Sequence, residues 1–418
     1  MLTTLRDAWK IPDLRKKILF TLAMLLVYRL GSFIPVPFIN REVIKQIISQ
    51  GGVLGFFDIV SGGNFSNFTI FAMSITPYIN ASIILNLLTF VIPKLENLAK
   101  EGEEGRRKLA QYTRYTAIIL ALIQALGLSL SIKNVLIQKS FWIIITVVIT
   151  ITAGTAFLMW LGEQITEKGI GNGISLIIFV SIISRIPDGI FKMVDYVKVG
   201  TVSVITLISF CILAVLIIAA VVAVQEGQRK IPVQYAKRVV GRKMYGGQST
   251  HIPLKINQSG VMPIIFASSI TLFPATIASF FPNSSVAKWI AEFFAWGKPV
   301  STTIYVLLII AFTYFYTMIT FNPVDIADNM KKNGGFIPGI RPGRPTTEYL
   351  KRTINRLTLS GSIFLAVIAI LPLILGVLAN IDLRFGGTSL LIIVGVSLET
   401  VKQLEAQMLM RHYQGFLK

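Results

Sequence analysis

Two histidines, one cysteine and twenty carboxylates are all that 418 residues offer to metal or nucleophilic chemistry. The cysteine, Cys211, lies inside an apolar run, so neither a disulfide framework nor a thiolate metal site is available. It reads as a small core hydrophobe. His251 and His412 lie far apart in sequence. No P-loop, HExxH or GxSxG occurs, which leaves no means of binding a nucleotide and little for an enzyme to build on. No catalytic residue, no metal and no cofactor is therefore expected, and any directed work must be powered by a partner. Gly169, Gly171 and Gly173 of GIGNGIS lack the lysine and the βαβ context of a phosphate loop and read as a tight turn into a helix. Charge is scarce as well: 14 % of residues are Asp, Glu, Lys or Arg, against roughly 25 % in soluble domains. That shortage marks a membrane protein.

What is present is apolar sequence. Hydrophobic residues make up 53 % of the chain, gathered in ten runs at roughly 18 to 37, 68 to 92, 115 to 132, 141 to 161, 170 to 186, 201 to 224, 260 to 281, 303 to 322, 358 to 380 and 388 to 405. An even number of spans puts both termini on one side. With that side cytoplasmic, 29 Lys and Arg face the cytoplasm and 10 face outward, and Arg29 within the first run completes the 40. This bias fixes the orientation by the positive-inside rule. A charge at a span centre costs about 2.5 to 3.5 kcal/mol, and the runs hold almost none. Glu163, Glu399 and Glu405 approach a run only at its cytoplasmic end, and Asp58 precedes the second run. Ion-coupled transport keeps an ionisable group near the midplane, so that class is disfavoured while a facilitator stays open. Arg29 reads as a side chain snorkelling to an interface.

Residues 1 to 17 carry no apolar stretch with a small-residue cleavage site, so no removable signal is expected. They read as a basic amphipathic segment lying on the membrane surface. Two cytoplasmic loops are too long to be simple connectors. Residues 225 to 257 interleave basic residues with Val, Ile and Tyr, as a projecting hairpin does. Residues 321 to 357 contain GGFIPGIRPGRP, where Gly and Pro enforce an irregular backbone. Each loop carries seven Lys or Arg. Attraction to anionic lipids needs charge alone, whereas this patterning favours a shaped docking surface.

The second run is the anomaly. A span wants about 20 uninterrupted apolar residues, and this one is broken by Gly62, Gly63, Asn64, Ser66, Asn67, Thr69 and Pro77. Its string SGGNFSNFTIFAMSITPYINASIILNLL is followed by KEGEEGRRKLAQYTRY, WLGEQITEKGIGNGIS, IPLKINQSGVMPIIFASSITLFPATIA, FNPVDIADNMKKNGGFIPGIRPGRPTTEYL and GGTSLLI. This series resembles the SecY family, the pore subunits of the bacterial Sec protein translocase, and runs in order from about residue 60 to residue 392. The resemblance implies an all-α polytopic fold, ten transmembrane helices in two pseudo-symmetric halves around an hourglass pore. The halves would be 18 to 186 and 201 to 405, with a cytoplasmic tail over 406 to 418. It also implies that the second span is split. A short plug helix over 62 to 72, with Gly62, Gly63, Asn64, Phe65, Ser66, Asn67 and Phe68, would precede a pore-lining half over 76 to 92.

Carried over position by position, the family's pore ring falls on Ile79, Ile83, Ile174, Ile178, Ile265 and Ile392. A branched aliphatic ring excludes water and ions by dewetting and offers no specific hydrogen bond, so any peptide sequence passes. The resemblance puts a lateral gate between 76 to 92 with 115 to 132 on one side and 260 to 281 with 303 to 322 on the other. Asn86, Gln124 and Asn257 are polar groups within or at the edge of those spans, able to hydrogen-bond for about 0.6 to 2 kcal/mol per contact. Arg341 aligns with the family's arginine needed for the motor, and its planar fork suits carboxylates. Arg344 and the hairpin's Arg229, Lys230, Lys237, Arg238, Arg242 and Lys243 complete the implied docking surface for motor and ribosome.

The implied partners are SecE-like and SecG-like small membrane subunits, a SecA-like ATPase motor, the ribosome, signal sequences and secretory precursors, together with anionic lipids. The implied location is the bacterial inner membrane. Asn80 and Asn86 depart from the Ser or Thr and the Gln expected there, and the tail RHYQGFLK is short. The expectation is a passive protein-conducting channel that also releases spans sideways into lipid. A facilitated small-solute transporter is the alternative; it needs convergent polar groups at the midplane.

Overall fold

The computed structural model describes residues 2–44, 58, 61–131, 140–200, 203–235, 238–240, 243–245, 249–279, 281, 284–295, 298–379 and 387–415. The first half contains α1 (Leu2–Lys10), α2 (Pro12–Gly31), α3 (Thr76–Val91), α4 (Pro93–Lys100), α5 (Glu103–Ser131), α6 (Phe141–Lys168), α7 (Gly173–Ile183) and α8 (Ile186–Lys198). The second opens with α9 (Val204–Glu226), then the strands β1 (Gln228–Tyr235), β2 (Arg238–Val240), β3 (Lys243–Tyr245) and β4 (Ser249–Lys255). It continues through α10 (Met262–Ser279), α11 (Ser285–Phe293), α12 (Pro299–Thr320), α13 (Pro323–Lys332), β5 (Gly335–Phe336), α14 (Arg344–Ala379) and α15 (Gly387–Gly415). Each of the ten apolar runs contains one of these helices. By length and composition alone, five described helices are able to cross a bilayer, and a sixth if α3 and α4, bent by 101° at their break, form one span.

Several boundaries differ from the apolar runs for physical reasons. α5 and α14 start well before their apolar stretches and have 29 and 36 residues. At 1.5 Å per residue they are about 44 and 54 Å long, more than the roughly 30 Å hydrocarbon core, so their charged first turns stand in water. The first run was expected to reach residue 37, but α2 ends at Gly31. Proline 35 then forms a β-bridge with Thr69. α7 is an 11-residue helix. Asn172 caps it, accepting from the Ile174 and Ser175 amides at 3.1 and 3.2 Å, and Gly171 takes a φ of +84° that an L side chain resists. GIGNGIS is thus the turn into a helix.

The two halves meet where α1 and α7 pack on α15, where α3 and α5 pack on α10, and where α8 meets α9. Between these contacts lies the main core, which includes Tyr28, Phe71, Leu158, Ile177, Ile264, Tyr305, Leu365 and Leu391. α1 is held by Ala8 and Leu14 against Ile170 and Leu404, which ties the amino-terminal segment to α15. The two long loops form a single unit outside this core. β1 lies between β4 and β5 in an antiparallel sheet, with Ile231 opposite Ile252 and Gln234 opposite Phe336. Ile231, Val233 and Leu254 of the hairpin share a buried cluster with Phe321, Met330, Ile337, Leu350 and Ile354 of the following loop. α13 is capped by Asn322, opens on Pro323 and Asp325, and ends in Lys331 and Lys332, so its charges complement the helix dipole.

Candidate pore, plug seat and lateral gate

The expected plug helix is not helical. Residues 61–75 fold as consecutive turns, and the helix begins at Thr76 with Pro77 in its first turn. The cause is local: Gly62 and Gly63 have φ of +69° and +88°, and Phe68 and Ser74 also adopt positive φ, at +43° and +51°. Such residues cannot propagate a right-handed helix. The segment is instead stitched to the chain after α2, where the Val36 amide donates to Phe68 O at 2.9 Å and the Ile70 amide to Ile34 O at 3.0 Å. Phe65 and Phe68 are buried with Val36, Ile39, Ala125, Val147 and Ile151. Gly154 of α6 lets the segment approach, since a Cβ there would sit 1.9 Å from Ile70 O.

The polar face of the segment meets α7. Asn64 donates to the Tyr28 hydroxyl at 3.0 Å, and that hydroxyl lies 2.5 Å from Ser181 Oγ. Asn64 also donates to Ser61 O at 2.7 Å. Beside it, Asp58 pairs with Arg185 and accepts from the Ser66 amide at 2.6 Å. Ser66 Oγ is 3.3 Å from Arg185 Nη2, while Asn67 is exposed. Tyr28, Ser181 and Arg185 escaped the sequence reading. A tyrosine or serine in an apolar run carries no distinguishing signal, and Arg185 is counted with a loop.

Ile79, Ile83, Ile178, Ile265 and Ile392 are all buried in the main core, and Ile174 packs against it half-buried. They come from α3, α7, α10 and α15, four helices converging from both halves. At the α3–α10–α12 seam the contacts are mainly aromatic. Phe266 meets Phe312 and Tyr316 edge-on at 6.0 and 5.1 Å, and Phe90 meets Phe315 at 5.0 Å. Asn86 Nδ2 reaches the Tyr316 hydroxyl and Ser82 Oγ, each at 3.5 Å. Asn257 does not cross the seam in any described hydrogen bond. It donates to Gly260 O at 3.0 Å and accepts from Ser259 at 3.1 Å, which caps its own turn. Gln124 is half-buried on α5.

On the sheet unit, Arg229, Lys230, Arg341 and Arg344 are exposed. Gly339 and Gly343 flank Arg341 with φ of +80° and +100°, and Thr346 donates to Arg341 O at 2.9 Å, so the tip around the arginine has a defined shape. Arg344 pairs with Glu348 at 3.2 Å. Lys237 and Arg242 lie outside the described residues. Arg238 and Lys243 are placed on β2 and β3 by backbone alone. Arg29 stands over the Phe33 ring at 5.1 Å, close to the end of α2, as a snorkelling cation does.

Helices of both halves thus pack around one core, and the turns of 61–75 fold back onto α2 and α7. A solved structure described as that of a protein conducting channel superposes with a TM-score of 0.68 at 20 % identity, over 94 % of this chain and 93 % of the other. Sec61 in the canine ribosome-channel complex from the endoplasmic reticulum superposes at 0.64 with 18 % identity, over 94 % and 93 %. The chain belongs to the SecY family, whose sequence profile matches residues 69–401. Protein translocase subunit SecY of Halalkalibacterium halodurans is 50 % identical over 434 residues, and that of Bacillus subtilis is 50 % identical over 435 residues, each covering 100 % of both chains. The molecule is therefore a multi-pass membrane protein and a channel for polypeptide translocation, without enzymatic activity of its own.

Proposed function

We propose that the polypeptide passes through the ring of Ile79, Ile83, Ile174, Ile178, Ile265 and Ile392, with residues 61–75 as the plug above it. The observation that carries this is the convergence of four helices from both halves on six isoleucines within or against one core. The bulk of such a ring excludes water when nothing is threaded. The seam of α3 and α5 against α10 and α12 is the lateral gate, held by rings and by Asn86. Gln124 and Asn257 lie on its margins, so replacing them has less effect than disturbing Asn86. Spans leaving the pore pass sideways through this seam into lipid.

Arg229, Lys230, Arg341 and Arg344, together with Lys237, Arg238, Arg242 and Lys243 of the sequence between β1 and β4, are the docking residues for a SecA-like motor or for the ribosome. SecE-like and SecG-like subunits brace the halves, and anionic lipids meet the remaining basic residues. The location is the bacterial inner membrane with both termini in the cytoplasm. A photoreactive amino acid at Ile83 tests the path: a stalled secretory precursor crosslinks to it in membranes. An engaged precursor that fails to crosslink there removes the ring from the path and revives a solute facilitator.

A further inference from the structure

We infer that Arg185 and Asp58 form a latch that sets the threshold for plug release, with Arg185 as a positioning residue in the turn between α7 and α8. The inference rests on the plug reading above. One Asp58 oxygen pairs with Arg185 Nη2 and the other accepts the Ser66 amide at 2.6 Å, so a single carboxylate ties the plug backbone to the end of α7. The Asp58 side chain is 7 % exposed and that of Arg185 23 %. Arg185 also pairs with the exposed Asp188 in the first turn of α8, at 3.9 Å. The plug face is shaped to this seat, since a Cβ on Gly63 would stand 2.9 Å from Arg185 Nε and one on Gly62 2.5 Å from Ser181 O.

Four residues back along the chain from Arg185, a second contact runs parallel. Ser181 Oγ donates to Ile177 O at 2.8 Å, so the Tyr28 hydroxyl donates to Ser181 and accepts from Asn64. This chain of neutral groups fixes where the plug sits. The ion pair fixes when it leaves. Taking two charges out of water roughly cancels their attraction, so an intact buried pair adds little net stability, yet removing Arg185 leaves the buried Asp58 carboxylate without its cation. Such a contact is specific in geometry and still separable once both charges regain water in an open funnel.

The test is potassium efflux from liposomes carrying the full channel complex without precursor. Arg185→Gln and Asp58→Asn each raise idle efflux about tenfold, the change that about 1.4 kcal/mol produces. The double variant Asp58→Asn/Arg185→Gln leaks no more than either single one, because either single change already removes the pairing. The single variants also admit precursors with weakened signal sequences. Deletion of 62–72 is the reference. A deletion that leaks while Arg185→Gln seals like the unmodified channel overturns the latch and leaves the plug standing. Effects of the two single variants that multiply in the double overturn the pairing. A deletion that seals as the unmodified channel does overturns the plug reading itself, and the latch with it.

Discussion

At the scale of single residues, rings and one long hydrogen bond compete to hold the seam. The Asn86–Tyr316 contact is 3.5 Å, at the outer limit for a hydrogen bond, and interhelical contacts of this kind average about 0.6 kcal/mol in lipid. The Phe266 rings join α10 to α12 on one side of the seam, whereas Phe90 of α3 meets Phe315 of α12 across it, edge-on at 5.0 Å. Such a pair adds about 0.5 to 1.5 kcal/mol beyond burial. The ring pair therefore outweighs the hydrogen bond. Spin-label distances between α3 and α12 should broaden in Phe90→Ala and stay as in the parent in Tyr316→Phe; broadening in Tyr316→Phe alone would reverse that ranking. Glycines obey a similar comparison. Gly200, at φ +80°, has nothing within 4 Å of an added Cβ, whereas Gly62, at φ +69°, faces the Ser181 backbone. Gly200→Ala meets backbone strain alone, about 1 to 2 kcal/mol. Gly62→Ala adds a clash with atoms that cannot rotate away, and its melting temperature in detergent should fall further.

At the scale of elements, the sheet of β1, β4 and β5 depends on three strands and one buried cluster. Leu254 is 1 % exposed between β1 and the segments after α12. Its replacement by Ala should cost about 2 to 5 kcal/mol locally, and limited proteolysis of the hairpin should accelerate while the spans stay protected. Cleavage at the parent's rate would show that the strands do not rely on that cluster. The hairpin and all ten helical runs were legible in the sequence because lipid demands unbroken apolar stretches and a half-buried strand demands alternation. The pairing of the two loops through β5 was not. Gly335–Phe336 is a two-residue strand with no periodicity to detect. The plug helix was implied by the family resemblance alone, and four positive φ angles make the segment a run of turns. The Asp58–Arg185 contact spans 127 residues, a distance over which local pattern carries no information. The positions of the aliphatic ring came from family resemblance; spacing alone does not separate Ile79 and Ile83 from ordinary core packing.

For the whole molecule, charge is the property that acts at a distance. The formal net charge is +20, and fourteen Lys and Arg belong to the two long loops, 225 to 257 and 321 to 357, whose described residues share a sheet and a buried cluster. A basic surface that meets RNA through its phosphates releases counterions on binding, so log affinity falls linearly with log salt, with a slope near −0.7 per neutralised phosphate on single strands. A surface that binds by shape alone has no such slope. Ribosome affinity of the reconstituted channel should therefore drop steeply between about 50 and 200 mM salt, and each of Arg229→Gln and Lys230→Gln should flatten the slope by about one. Arg341 stands on a different part of the unit, at a tip shaped by Gly339 and Gly343. Its fork is suited to a carboxylate on a protein partner, so Arg341→Gln should abolish motor-driven translocation while shifting the ribosome slope little. A loss of ribosome binding in Arg341→Gln as large as in the hairpin variants would merge the two surfaces into one. Separate losses would mean that motor and ribosome compete by overlap of bulk around the sheet, with different side chains carrying each contact.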